Sequence, residues 1–237
     1  MKDKARDCQN TDALLLLREK DDVVLIIFGF VDFPTLVRIQ RVCTYWKQMV
    51  HHQAIPGRLG RKQFLTHEEL VDKVRKYCSR KLKFAEELAG TYGWPIGRWN
   101  VSRITNFARL FWNQRNFNED IREWDVSNAT TLYGMFRGAE RFNQDLSNWN
   151  TSNVINMSEM FRYAISFNGQ ISAWNTSSVS HMECMFANAT SFDGDISVWD
   201  TSQVICMNGM FMDATSFNQD ISSWNVAKVI YREFMFQ

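Results

Sequence analysis

Tryptophan stands at positions 99, 124, 149, 174, 199 and 224 of this 237-residue chain, at a constant interval of 25. Phenylalanine keeps the same interval at 111, 136, 161, 186, 211 and 236, and again at 117, 142, 167, 192 and 217. A fixed period between 20 and 50 residues is the signature of a stacked repeat. A single unit holds too few large apolar side chains to offset the entropy of ordering its backbone, so the units must pack on one another.

One unit can be read physically. In "TSNVINMSEMFRYA", Val154, Met157, Met160, Phe161 and Ala164 follow steps of three and four, which predicts a short helix. Ser152 is its expected N-cap. In "SFNGQISAW", Phe167 and Ile171 are four apart and share one face of an expected strand. Trp174 leaves that alternation, so a bend should precede it. The expected fold is therefore an α/β repeat solenoid with a short strand and a short helix per coil, preceded by a small helical domain. Its continuous core would be Trp99, Trp124, Trp149, Trp174, Trp199 and Trp224 with Phe142, Phe167, Phe192 and Phe217.

Two polar columns run beside that core. Asn118, Asn143, Asn168, Asp193 and Asn218 form one; Asp120, Asp145, Gln170, Asp195 and Asp220 form the other. They are expected to satisfy turn amides rather than to bind metal, because Gln170 interrupts the acids and the glycine-rich nonapeptides of calcium-binding β-rolls are absent. No metal, cofactor or catalytic set is expected: His51, His52, His67 and His181 have no triad or metal spacing. The chain reads as a non-enzyme.

Charge divides the chain. Residues 1–98 carry 18 Lys+Arg against 12 Asp+Glu, and residues 99–237 carry 9 against 14. The split marks a boundary near 98 and is too mild to imply nucleic acid; "KVRKYCSRKLK" reads as a solvated helix face. Cys8, Cys43, Cys78, Cys184 and Cys206 show no CxxC spacing and no disulfide framework, which suits a reducing compartment, cytoplasmic or nuclear. "ALLLL" is too short to span a membrane or to form a secretory core. The Asn-x-Ser sequons at Asn100 and Asn175 arise from the repeat's own wording.

The unit, Trp-[Asp/Asn]-[Thr/Val]-Ser-x-Val-x-x-Met-x-x-Met-Phe-x-x-Ala-x-x-Phe-[Asn/Asp]-x-Asp-Ile-Ser, resembles the BspA-like leucine-rich-type repeat, also found in mycoplasma lipoproteins and in protists such as diatoms. The resemblance covers about residues 95–237. It implies a leucine-rich-repeat-like binding solenoid without enzyme activity.

Upstream, "DDVVLIIFGFVDFPTLVRIQRVCTYWKQMV" holds apolar faces at Val23, Val24, Ile27, Phe28 and Val31, then at Leu36, Ile39, Val42 and Cys43, then at Trp46, Met49 and Val50. Pro34 suits the first turn of the second helix. "LVRIQRVCTYWKQM" resembles the second half of the F-box, with Leu36, Arg38, Ile39, Arg41, Val42, Cys43, Trp46 and Lys47 in place; "VVLIIFGFV" resembles its first half. Glu19-Lys20 stand where the F-box usually opens with Leu-Pro. The resemblance implies docking on a Skp-type adaptor of a cullin ubiquitin ligase through Phe28, Leu36, Ile39, Val42 and Trp46.

Thr66 and Glu69 form an expected capping box ahead of a helix that buries Leu70, Val74 and Tyr77 and shields the first coil. The expected domains are an N-terminal extension at 1–20, an F-box-like domain at 21–60, a linker and cap at 61–98, and the repeats at 99–237. The chain stops at "MFQ", halfway through a unit, as a fragment or a frayed end. The function expected is an adaptor that holds an unknown target protein, with no nucleic acid or membrane as partner. The alternative is a repeat-built surface adhesin or scaffold. Target specificity would sit outside the core columns, at Arg137, Glu140, Arg141, Arg162, Tyr163, Asn188 and Thr190, although a solvated face is the favoured reading of those positions.

Overall fold

The structure is a computed structural model, and it describes residues 62–93 and 95–236. The chain divides into two compact units, Met1–Gly60 and Arg61–Gln237, and the described residues belong to the second.

The first element of that unit, α1 (His67–Cys78), starts where the sequence places it. The Thr66 side chain accepts from Glu69 N at 3.2 Å. Glu68 and Glu69 in the first turn and Arg75 and Lys76 in the last complement the helix dipole. Leu70, Val74 and Tyr77 are buried. A second helix, α2 (Leu82–Tyr92), is absent from the sequence-based expectation. No side chain caps its first turn, so the usual start signal is missing. Lys73 Nζ on α1 meets Glu87 Oε1 on α2 at 2.9 Å.

These helices close the first repeat unit. Phe64 stacks on Tyr92 with centroids 4.3 Å apart and lies 5.2 Å from Trp99. Tyr77 meets Trp99 edge-on at 5.7 Å. Phe64 N donates to Asn100 O at 3.1 Å, beside a parallel bridge between Gln63 and Asn100.

From Asn106 onward the units join through isolated parallel bridges, Asn106–Thr131–Asn156–His181–Cys206–Tyr231, one per 25 residues. The segments expected to be helical are chains of tight turns instead, and no helix lies among the described residues beyond Arg98. The backbone hydrogen bonds give the reason. Met157, Glu159, Phe161 and Tyr163 donate their N–H groups to His181, Glu183, Met185 and Ala187 of the next unit, whereas Met160, Arg162 and Ala164 donate three residues back to Met157, Glu159 and Phe161. Every second N–H is thus committed sideways, and an α-helical ladder cannot form. Ser152 caps nothing; its N–H donates to Asn150 Oδ1 at 3.1 Å.

The expected strand is also replaced. Phe167 and Ile171 are buried, but residues 167–170 form no bridge. Asparagine and aspartate side chains stitch this segment to its neighbours: Asn118 Oδ1 accepts from Asn143 N, Asn143 Oδ1 from Asn168 N, Asn168 Oδ1 from Asp193 N and Asp193 Oδ1 from Asn218 N, all at 2.8–3.0 Å. The second polar column works within its own unit: Asp145, Asp195 and Asp220 accept from Ser147, Ser197 and Ser222 N at 2.9–3.0 Å. These turns provide the bend that precedes each Trp.

The core is three aromatic files. Phe111, Phe136, Phe161, Phe186, Phe211 and Phe236 follow one another at 5.3–5.8 Å. Phe117, Phe142, Phe167, Phe192 and Phe217 follow at 5.8–6.0 Å. All six Trp are buried, as are Phe142, Phe167 and Phe192; Phe217 is half-buried against the core. Each indole Nε1 donates to a carbonyl of the preceding segment: Trp99 to Gly93, Trp124 to Ile96, Trp149 to Ile121, Trp174 to Leu146, Trp199 to Ile171 and Trp224 to Ile196, at 2.9–3.2 Å.

Candidate interaction surface

The tight turns place two residues per unit in the left-handed region: Arg109, Gly134, Glu159, Cys184 and Gly209 in one column, and Asn113, Gly138, Tyr163, Asn188 and Asp213 in the other. A β-carbon on Gly138 would stand 2.4 Å from Asn113 Oδ1, so a side chain there would displace that amide, and the left-handed angle favours glycine. The residues around these columns project side by side from successive units, and in three of them they form an arginine–aromatic island.

Arg109 and Arg137 each lie 4.5 Å from the centroid of the Trp112 ring. Arg109 is also 5.2 Å from Tyr133, and Arg162 is 5.3 Å from Tyr163, distances at which a guanidinium is attracted to a ring face. Glu159 pairs with Arg137 and, at 2.9 Å, with Arg162 Nη1; Tyr133 Oη donates to Glu159 at 3.3 Å. Burial pushes the Glu159 carboxyl up, and the Arg137 and Arg162 guanidiniums push it down further, so it ends below its ordinary value. Burial raises the neighbouring Cys184 thiol against the lowering effect of Arg162.

Of the variable positions singled out in the sequence, the structure brings together Arg137, Arg162 and Tyr163. Glu140 lies apart and pairs with Arg115 at 3.3 Å. Arg141 is exposed, Thr190 Oγ1 donates to Ile165 O at 3.5 Å, and Asn188 occupies a left-handed turn. Arg109, Trp112, Tyr133 and Glu159 were missed. Trp112 and Arg137 are 25 residues apart, so translation by one period would have paired them.

Ser180 Oγ is 2.7 Å from His181 Nδ1, but no carboxylate hydrogen bond to that ring exists among the described residues. A cleft of about 380 Å³ at Phe211, Asp213, Ala214, Thr215, Phe217 and Phe236 offers one acid. Among the described residues no group of three His, Cys, Asp or Glu could hold a metal, and no helix is long and apolar enough to cross a membrane. Phe28, Leu36, Ile39, Val42 and Trp46, expected to meet an adaptor, lie outside the described residues.

Comparison with known families assigns both parts of the sequence. The family described as Mycoplasma protein of unknown function, DUF285, matches residues 81–189 and 169–237, together well over half of the chain. The chain belongs to the DUF285 family. This is the repeat family that the 25-residue unit resembles, and the DUF285 match opens just ahead of α2. The F-box domain family matches residues 21–55, so the chain carries an F-box domain ahead of its DUF285 repeats. No curated protein matches, and neither does any solved structure. Neither matched family is an enzymatic one, and the F-box points to an adaptor role.

Proposed function

We propose that this chain is the substrate receptor of a cullin-type ubiquitin ligase. The F-box docks a Skp-type adaptor through Phe28, Leu36, Ile39, Val42 and Trp46, and the DUF285 units form a leucine-rich-repeat-like solenoid that holds a target protein. The reading places the chain in the cytoplasm or nucleus. The observation that carries it is the presence, in one chain, of an F-box match at 21–55 and a DUF285 match from 81 onward. Supporting it, the repeat unit keeps its apolar side chains in three continuous files and leaves polar and aromatic groups along its outer turns, as a binding module does.

The test uses the full chain co-expressed with a Skp-type adaptor from the same organism. A stable complex is expected by size-exclusion chromatography. The Leu36→Ala, Ile39→Ala double variant should bind at least about 30-fold more weakly, since truncating even one central anchor removes about 2 kcal/mol. Circular dichroism of the variant must match the wild type. A folded wild-type chain with no affinity for any adaptor of its organism would refute the ligase reading and leave a scaffold or surface adhesin.

A further inference from the structure

The repeats are acidic overall, with 9 Lys+Arg against 14 Asp+Glu in residues 99–237. Against that background three of the nine cations, Arg109, Arg137 and Arg162, are gathered on one surface with a single carboxylate, Glu159, among them. Glu159 serves Arg137 and Arg162 and leaves Arg109 with no ion pair among the described residues. Arg109 instead lies over the Trp112 and Tyr133 rings. Three cations and one anion leave an excess of two positive charges on a patch three units wide, and like charges so placed repel unless an anion joins them.

The repeat shows where that anion is missing. Glu159 stands in the column of Arg109 and Gly134, and one unit back its place is taken by Gly134. A β-carbon on Gly134 would lie 3.2 Å from the Trp112 ring, so the ring lies against the place where an acid side chain would begin. The chain therefore offers two guanidiniums at the Trp112 ring, of which Arg137 is paired with Glu159 and Arg109 has no acid partner among the described residues. Arg109 and Arg137 are each 4.5 Å from the ring centroid, so their guanidinium carbons are at most 9.0 Å apart. Arginine N–H groups pair with a carboxylate in two parallel hydrogen bonds, and Arg109 makes no such pair among the described residues. The planar fork of arginine suits a carboxylate.

We propose that this island binds a carboxylate-rich segment of the target protein, with Arg109 pairing with one of its carboxylates. The proposal rests on the receptor function above and names the chemistry that the repeats select. Glu159 supplies the internal precedent: the same surface already seats one carboxylate between two arginines.

The test measures fluorescence anisotropy of a labelled peptide of alternating glutamate and serine, added to the full chain in complex with its adaptor. Binding is expected, weakening as salt rises. Arg109→Gln, which keeps the stem over Trp112 and removes the charge, should weaken it at least tenfold. Arg232→Gln, exposed and away from the island, should leave it unchanged. The melting temperature of each variant and its co-elution with the adaptor report folding. A complex that assembles but ignores the glutamate peptide, or binds it equally with Arg109→Gln, overturns the proposal while the receptor reading stands. A phosphoserine peptide bound tenfold more tightly than the glutamate peptide overturns the carboxylate assignment. A chain that binds the peptide through Arg109 but no adaptor supports the island and refutes the receptor reading.

Discussion

Replacing Trp174 tests the stacked core between two neighbouring tryptophans. The indole is 4 % exposed, lies between Trp149 at 6.4 Å and Trp199 at 6.2 Å, and faces Phe161 at 6.3 Å. Trp174→Ala leaves a cavity that both neighbouring units border and neither can fill, which should cost about 3–5 kcal/mol. Trp174→Phe keeps most of the contact and removes the N–H that Leu146 O accepts at 2.9 Å. That carbonyl retains the Trp149 N–H at 3.1 Å, so it is not orphaned, and the added loss should be about 1 kcal/mol. The sequence makes the cost at Trp99 depend on how tightly the first coil is capped. With Phe64, Tyr77 and Tyr92 around it, Trp99→Ala should approach the Trp174 value. Trp224 is 7 % exposed and contacts Phe211 at 6.2 Å without a further Trp beyond it, so its truncation should cost less, about 2–3 kcal/mol. Urea unfolding of the full chain followed by far-ultraviolet circular dichroism, with hydrogen exchange to locate the loss, gives the ranking. Losses that are small and equal at all three positions would refute the stacked-tryptophan argument. A Trp174→Phe loss as large as that of Trp174→Ala would assign the effect to the hydrogen bond instead.

Two further outcomes follow from the polar groups. The Glu159 carboxyl is held below its ordinary value of 4.5, so the stability it contributes is present above that value and is lost as pH falls through the lower folded one. The stability difference between wild type and Glu159→Gln should therefore be constant near neutrality and shrink below pH 4.5; a difference that grows on acidification would contradict the Arg137 and Arg162 pairing. Calcium should leave the melting temperature unchanged, because Asp145, Asp195 and Asp220 are engaged by the N–H groups of Ser147, Ser197 and Ser222 and Gln170 breaks the column; a rise of several degrees reversed by chelator would show that the column binds metal.

How far the sequence speaks differs from one feature to the next. The period, the Trp file and α1 were legible because each rests on local chemistry: identical spacing, a threonine cap and an i, i+4, i+7 apolar stripe. The turn chains were misread as helices for a physical reason. Left-handed residues recur every four positions, at Glu159 and Tyr163, and a turn of about four residues returns apolar side chains to the core almost as a 3.6-residue helix does. The signal that separates the two was present as glycine, asparagine and aspartate in one column, at Asn113, Gly138, Asn188 and Asp213, residues that tolerate the left-handed region. The F-box was legible through wording rather than periodicity.

The island was legible only in part, as Arg137, Arg162 and Tyr163, and the reason bears on its role. Arg137 meets Glu159 at a separation of 22 residues, a spacing that follows only once the turns are known. Those turns favour Gly, Asn or Asp at both left-handed positions, yet Arg109, Glu159 and Tyr163 occupy them at about 1–2 kcal/mol of backbone strain each. Gly134 and Gly209 meet the same requirement in neighbouring units without a side chain. Cys184 and Phe234 hold the same left-handed angle in further units of that column, so the strain belongs to the turn and not to the island alone. What sets Arg109, Glu159 and Tyr163 apart is that the turn directs their side chains, with Trp112, Arg137 and Arg162, onto one arginine–aromatic surface.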